Sequence, residues 1–184
     1  MLPSCRSPFL VGLLLLLSGT VMVFSQDKAK LTGHPFFKHK VGKWKSTGEL
    51  TSGTSPDVTK ITQEWTARFS GEGEFIIEGT RAVNDGAPQR YQWIIGYNPT
   101  TDLLEARHLD PDQPGEAIRF EGTVTKEPLG LELRGQLSGS GTMTVTEVFK
   151  DGDLDTIECR VAFLNESGDT NNSGTLIHRR VKDS

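Results

Sequence analysis

Cysteine is nearly absent from this chain: its 184 residues hold two, Cys5 and Cys159. Cys5 lies ahead of an apolar run that reads as a secretory signal, so cleavage would leave Cys159 alone and exclude an internal disulfide. A lipoprotein anchor needs a cysteine just after that run, and none stands there. Basic residues do not dominate, at 20 Lys and Arg against 24 Asp and Glu, and loss of Arg6 with the signal tilts the balance further toward acid. That balance argues against nucleic acid or an anionic membrane as partner. The sequence has no Gly-x-Ser-x-Gly elbow, and Gly139-Ser140-Gly141 has neither the helix nor the lysine of a phosphate-cradling loop.

The apolar run spans Phe9 to Phe24, contains five consecutive leucines and follows a short segment carrying Arg6. Small residues at Val23 and Ser25 suit a cleavage site between Ser25 and Gln26. Residues 1–25 are therefore expected to be a signal peptide, which implies a secreted or periplasmic protein. The run is shorter than the ~20 residues a membrane span needs, and no later stretch is apolar enough, so no integral membrane association is expected after cleavage. Residues 26–39 read as a flexible lead-in ending with Phe36-Phe37 docked on the domain. Residues 40–184 read as one β domain, long enough for one core.

Within that domain the apolar period is two. Trp65-x-Ala67-x-Phe69, Ile118-x-Phe120-x-Gly122-x-Val124, Leu129-x-Leu131-x-Leu133 and Ile157-x-Cys159-x-Val161-x-Phe163 alternate with charged or hydroxylated residues, as half-buried strands require. Turn-forming groups such as Asn84-Asp85-Gly86, Asn98-Pro99, Asp151-Gly152 and Asn165-Glu166-Ser167-Gly168 separate the runs. About ten strands result, and no window repeats at the period of an amphipathic helix. An open meander of that length would leave two sheet edges exposed, so an all-β, antiparallel up-and-down meander closed into a barrel is expected, ahead of a two-sheet sandwich.

Gly42-Lys43-Trp44 on the first strand resembles the Gly-x-Trp signature of lipocalins, with Arg179-Arg180 on the last strand available to pack an arginine across the tryptophan. With Gly73-Glu74-Phe75 and Gly96-Tyr97-Asn98-Pro99, the pattern is similar to a group of uncharacterised bacterial lipocalin-like domains. The resemblance implies a calycin-type barrel. It carries over no activity and no catalytic residues.

Strand parity places three ionisable residues on the apolar side: Arg81 with Phe75 and Ile77, His108 with Leu104 and Ala106, and Glu147 with Val145 and Phe149. A polar group inside a barrel costs several kcal/mol unless paired, so each needs a partner, water or a ligand. The plain expectation is that they pair with one another or sit at a rim. The functional one is that they orient a small, partly apolar molecule against Trp44, Trp65 and Trp93, with Ser46 and Gly48 leaving room for it. Two other classes compete: a scaffold acting through its outer face, and a hydrolase or isomerase using Glu147 with His108. No cofactor is assigned, and haem, with His108 or His178 as axial ligand, is the minor case. Asp151-x-Asp153-x-Asp155 imitates a calcium loop but lacks its glycine and its closing glutamate, so it reads as a hairpin turn.

Overall fold

The computed structural model describes residues 31–182 except 72, 113–116 and 138–140. The expected signal peptide, its cleavage site and the first part of the lead-in lie outside the described residues. Ten strands follow one another: β1 (Gly42–Ser52), β2 (Val58–Phe69), β3 (Phe75–Val83), β4 (Gln89–Asn98), β5 (Leu103–Leu109), β6 (Ile118–Lys126), β7 (Leu129–Gln136), β8 (Thr142–Lys150), β9 (Asp153–Leu164) and β10 (Thr170–Arg180). Each pairs antiparallel with its neighbours in sequence, and β1 pairs with β10, so the meander closes into a barrel with no free edge. The sandwich alternative is thereby set aside.

The turns do what their residues favour. Asn84 and Asp85 take positive φ values of 49° and 59° between β3 and β4, and Gly152 takes 71° in the two-residue link between β8 and β9. Asp151-Gly152 is thus a hairpin turn. Register shifts fall at Thr170/Asn172 and Phe149/Lys150, beyond Arg81, His108 and Glu147, so parity read from the sequence keeps all three on the inner face.

Helical structure arises where the sequence offered no periodic signal. Helix α1 (Pro35–Lys40) precedes β1 and closes one end of the barrel. His34 caps it by accepting the Phe36 N–H on Nδ1 at 3.2 Å, and Pro35 occupies the first turn, where a missing N–H costs nothing. Phe36 and Phe37 are completely buried, and their rings meet Phe149 and Phe75. Burying two such rings removes about 300 Å² or more from water, enough to hold so short a helix that would be unstable alone.

The outer face carries the charges, including exposed Lys45–Glu64 and Arg68–Glu78 pairs across neighbouring strands, while the inner face carries the apolar core. This is the reverse of a barrel whose outer surface meets lipid. Close strand approach is secured at Gly79, where an added Cβ would sit 2.3 Å from the Glu64 carbonyl oxygen and 2.5 Å from the Trp65 Cβ. Gly48 departs from expectation: a side chain there would run into Thr175 and Leu176 of β10, so its small size serves strand packing rather than free volume.

A cavity between a charged floor and an arginine wall

The aromatic and polar groups at the helix-capped end form a floor. The Trp44 ring stacks on Trp65 with centroids 5.3 Å apart and 12° between planes, and the Arg180 guanidinium covers its other side at 4.4 Å. Arg180, rather than Arg179, is therefore the arginine that crosses the tryptophan. It donates Nε–H to Asp155 at 2.8 Å and an Nη1–H to the Val41 carbonyl at 2.7 Å, tying the end of α1 to the last strands. Trp44 in turn donates its indole N–H to the Lys40 carbonyl at 2.9 Å.

Above this layer lies a buried polar network. Lys40 is 1% exposed, and its ammonium pairs with Glu147 Oε2. Glu147 Oε1 faces His178 Nε2 at 3.6 Å, His178 Nδ1 meets Ser46 Oγ at 2.6 Å, and Ser46 accepts the Trp65 indole N–H at 2.8 Å. Ser46 thus completes the network, which accounts for a small polar residue at a core position. Burial pushes the Glu147 carboxyl upward, but the Lys40 charge and the His178 hydrogen bond outweigh it and hold the group below the usual carboxylate range. Cys159 is also buried here, and burial, with the Glu147 charge second, pushes its thiol well above its ordinary value. An inert thiol is the consequence.

Beyond the floor the barrel is not filled. A cavity of about 680 Å³ extends toward the opposite end, between the ends of β1, β3, β5, β7 and β9 and the starts of β2, β4, β6 and β8. Leu131, Leu133, Val145 and Ile77 form apolar walls, Trp65 and Trp93 aromatic ones, and Lys40, Glu147, His178, Arg81 and His108 are among its polar lining. Five of the six residues expected to shape a ligand site therefore do line one space. Trp44 is the exception: it lies beneath Trp65, sealed between that ring and Arg180, and supports the floor without lining the cavity.

The three inward ionisable residues do not form one cluster. Glu147 belongs to the floor, whereas Arg81 and His108 lie on the wall formed by β3 to β5, nearer the far end. Among the described residues no hydrogen bond joins His108 to Glu147, so the acid–base pair expected for a hydrolase or isomerase is not assembled. His108 packs edge-on against Trp93 at 4.8 Å and stacks near Tyr91 at 6.2 Å. Burial, aided by the Arg81 charge, lowers its pKa to about 4, so it is neutral near pH 7. Tyr91 donates its hydroxyl hydrogen to Gln63 at a long 3.4 Å.

Two arrangements invite comparison with ion or haem sites. Glu147, Cys159 and His178 offer donor atoms within 4.8 Å of one another. The Lys40 ammonium already occupies the carboxylate, however, and a divalent ion would have to displace it. His178 has both ring nitrogens engaged, by Ser46 and Glu147. His108 is the histidine on the cavity wall whose ring makes no hydrogen bond to another described residue.

No family model matches the sequence, and no curated protein resembles it at a significant level. Solved structures do share its fold. An S-type phycobiliprotein lyase, CpeS, from Guillardia theta superposes with a TM-score of 0.59 at 10% identity, covering 88% of this chain and 99% of the lyase. Rv2717c from M. tuberculosis gives 0.57 at 15% identity, covering 80% of this chain and 98% of the other. A DUF3598 protein of unknown function from Nostoc punctiforme gives 0.50 at 7% identity, covering 79% of this chain and 49% of that one. At such identities the likeness speaks for the fold alone: a closed, lipocalin-like barrel, as the Gly42-x-Trp44 pattern implied.

Lys40, Tyr91 and Gln63 are site residues that sequence reasoning missed. Lys40 stood at the boundary between the polar lead-in and the β domain, although a buried Glu147 demands a cation and thus signals that one must exist. Tyr91 shares parity with Trp93, and that alone could have marked it as inward.

Proposed function

We propose that this chain is an exported lipocalin-like barrel that binds a small, partly apolar molecule in its lumen without chemical turnover. The cavity carries the reading: about 680 Å³ of space exceeds the ~300 Å³ at which small-molecule sites begin. Aromatic and aliphatic walls with a few polar groups are the usual make-up of such a site. A barrel serving as a scaffold has no need of such space and would gain stability by filling it. Export rests on the layout of residues 1–25, and kinship with the uncharacterised bacterial lipocalin-like domains on the motifs around Trp44, Phe75 and Tyr97.

Catalysis is disfavoured on geometry, since Glu147 is engaged by Lys40 and His178 while His108 stands apart on another wall. The role requires no cofactor. Native mass spectrometry of the protein, purified and then incubated with a panel of lipids, aromatic acids and haem, tests the reading. A defined 1:1 adduct that is weakened by Trp93→Ala supports it; a bare mass against the whole panel contradicts it.

A further inference from the structure

Arg81 is the charged group in the cavity whose needs the protein leaves unmet. Its Nε is buried with no hydrogen-bond partner, and among the described residues it makes no salt bridge. The strand register explains why: its cross-strand neighbours are Gln63 on β2 and Gln89 on β4, both uncharged. A guanidinium carries five N–H donors and no acceptor, and leaving a buried donor unpaired is costly.

The other charges do not neutralise it. Lys40 and Glu147 cancel each other at the floor. Asp110 reaches the lining just beyond the end of β5, where it accepts the Asp112 N–H at 3.3 Å, and no ion pair within 4.0 Å joins it to Arg81. Tyr91 on the adjacent β4 and His108 on β5 beyond it are uncharged near pH 7, so they add hydrogen-bonding capacity without charge. The long Tyr91–Gln63 contact leaves that hydroxyl free to turn toward a better acceptor.

Resting on the binding role proposed above, we infer that the ligand is an amphipathic monoanion, a carboxylic acid, whose carboxylate docks on Arg81 while its apolar body lies against Trp93 and Trp65. A carboxylate matches the guanidinium fork in two parallel hydrogen bonds. One negative charge balances one unpaired cation; a dianion would leave charge uncompensated in a low-dielectric space.

The test compares 4-(1-pyrenyl)butyrate with 4-(1-pyrenyl)butanol, two probes that share a body and differ in the head group, by energy transfer from tryptophan at pH 7.5. The acid should bind the wild-type protein at least about tenfold more tightly than the alcohol. R81Q should abolish that preference by weakening the acid alone, and R81K should keep part of it because it keeps the charge but not the fork. Equal binding of the two probes to the wild-type protein, which involves no variant and so no folding defect, overturns the carboxylate assignment and leaves the binding role intact. Failure of both probes to bind counts against the binding role and this inference together.

Discussion

Removing the ammonium from the floor, with Lys40→Met, should destabilise the barrel severely. The Lys40 and Glu147 side chains are 1% and 10% exposed, so the charge left behind would remain largely out of water. His178 Nε2, 3.6 Å from the other carboxylate oxygen, already partners Glu147 in the wild-type protein and so adds no new compensation. Breaking one side of a buried ion pair costs about 3–5 kcal/mol, and a chain of this size loses roughly 2–4 °C of melting temperature per kcal/mol. A fall of about 6–20 °C follows. The double variant Lys40→Met/Glu147→Leu removes the stranded charge as well and should recover most of the loss, since apolar replacement of both members of such a pair is often neutral. The pH dependence has a definite sign. In the wild-type protein the folded-state pKa of Glu147 lies below its ordinary value of 4.5, so the stabilisation is complete above that value and declines as pH falls below it. In Lys40→Met burial is left to dominate and pushes the carboxyl upward, so the penalty should be greatest at pH 7 and shrink as acid neutralises the group. Urea unfolding of these three proteins and of the Glu147→Leu single variant at pH 7 and pH 4.5 measures this directly. A loss below about 1 kcal/mol for Lys40→Met, or a double variant whose loss is the simple sum of the two singles, would refute the reasoning.

Other perturbations follow from the same contacts. His108 should titrate near pH 4 in NMR spectra of the folded protein, and R81Q should move it upward by removing a neighbouring positive charge. Because its folded pKa is depressed from 6.5, His108 should make stability decline as pH falls from about 6.5 to about 4, a slope that His108→Gln removes. Gly79→Ala forces a methyl group within 2.5 Å of Glu64 and Trp65 atoms and should cost about 1–3 kcal/mol in urea unfolding. Arg180→Ala should lower stability by roughly 2 kcal/mol through the lost Trp44 contact and hydrogen bonds, and Arg180→Lys should restore less than half of it, as a point charge cannot serve Asp155 and Val41 together. Cys159 should resist a thiol reagent in the folded protein and react on unfolding, read by peptide mapping; fast native labelling would contradict its burial.

Much of the architecture was legible because alternation is a local signal. Leu129-x-Leu131-x-Leu133 and Ile157-x-Cys159-x-Val161 each announce a strand from a handful of neighbours, and the turn residues between them set the hairpin links. Closure followed from the cost of open edges. The inward positions of Arg81, His108 and Glu147 were readable for the same reason, since parity held wherever no bulge intervened. What was hidden depended on contacts far apart in sequence. Lys40 meets Glu147 across 107 positions, and six residues of helix are too few to show a period. Trp44 carried a recognisable motif, yet whether an inward tryptophan faces a cavity or lies beneath another ring depends on its depth along the barrel, which parity does not encode. His178 and Ser46 likewise read as ordinary alternation, and only the three-dimensional arrangement makes them a network.

The central claim is that the barrel encloses a space a ligand can enter. A crystal structure of the protein soaked with 4-(1-pyrenyl)butanol, chosen because it carries no carboxylate for Arg81, tests it most directly. The account predicts density for the pyrene ring inside the barrel, beside Trp93 and above the Lys40–Glu147 floor. A lumen filled by side chains, or a probe bound only on the outer face, would contradict it.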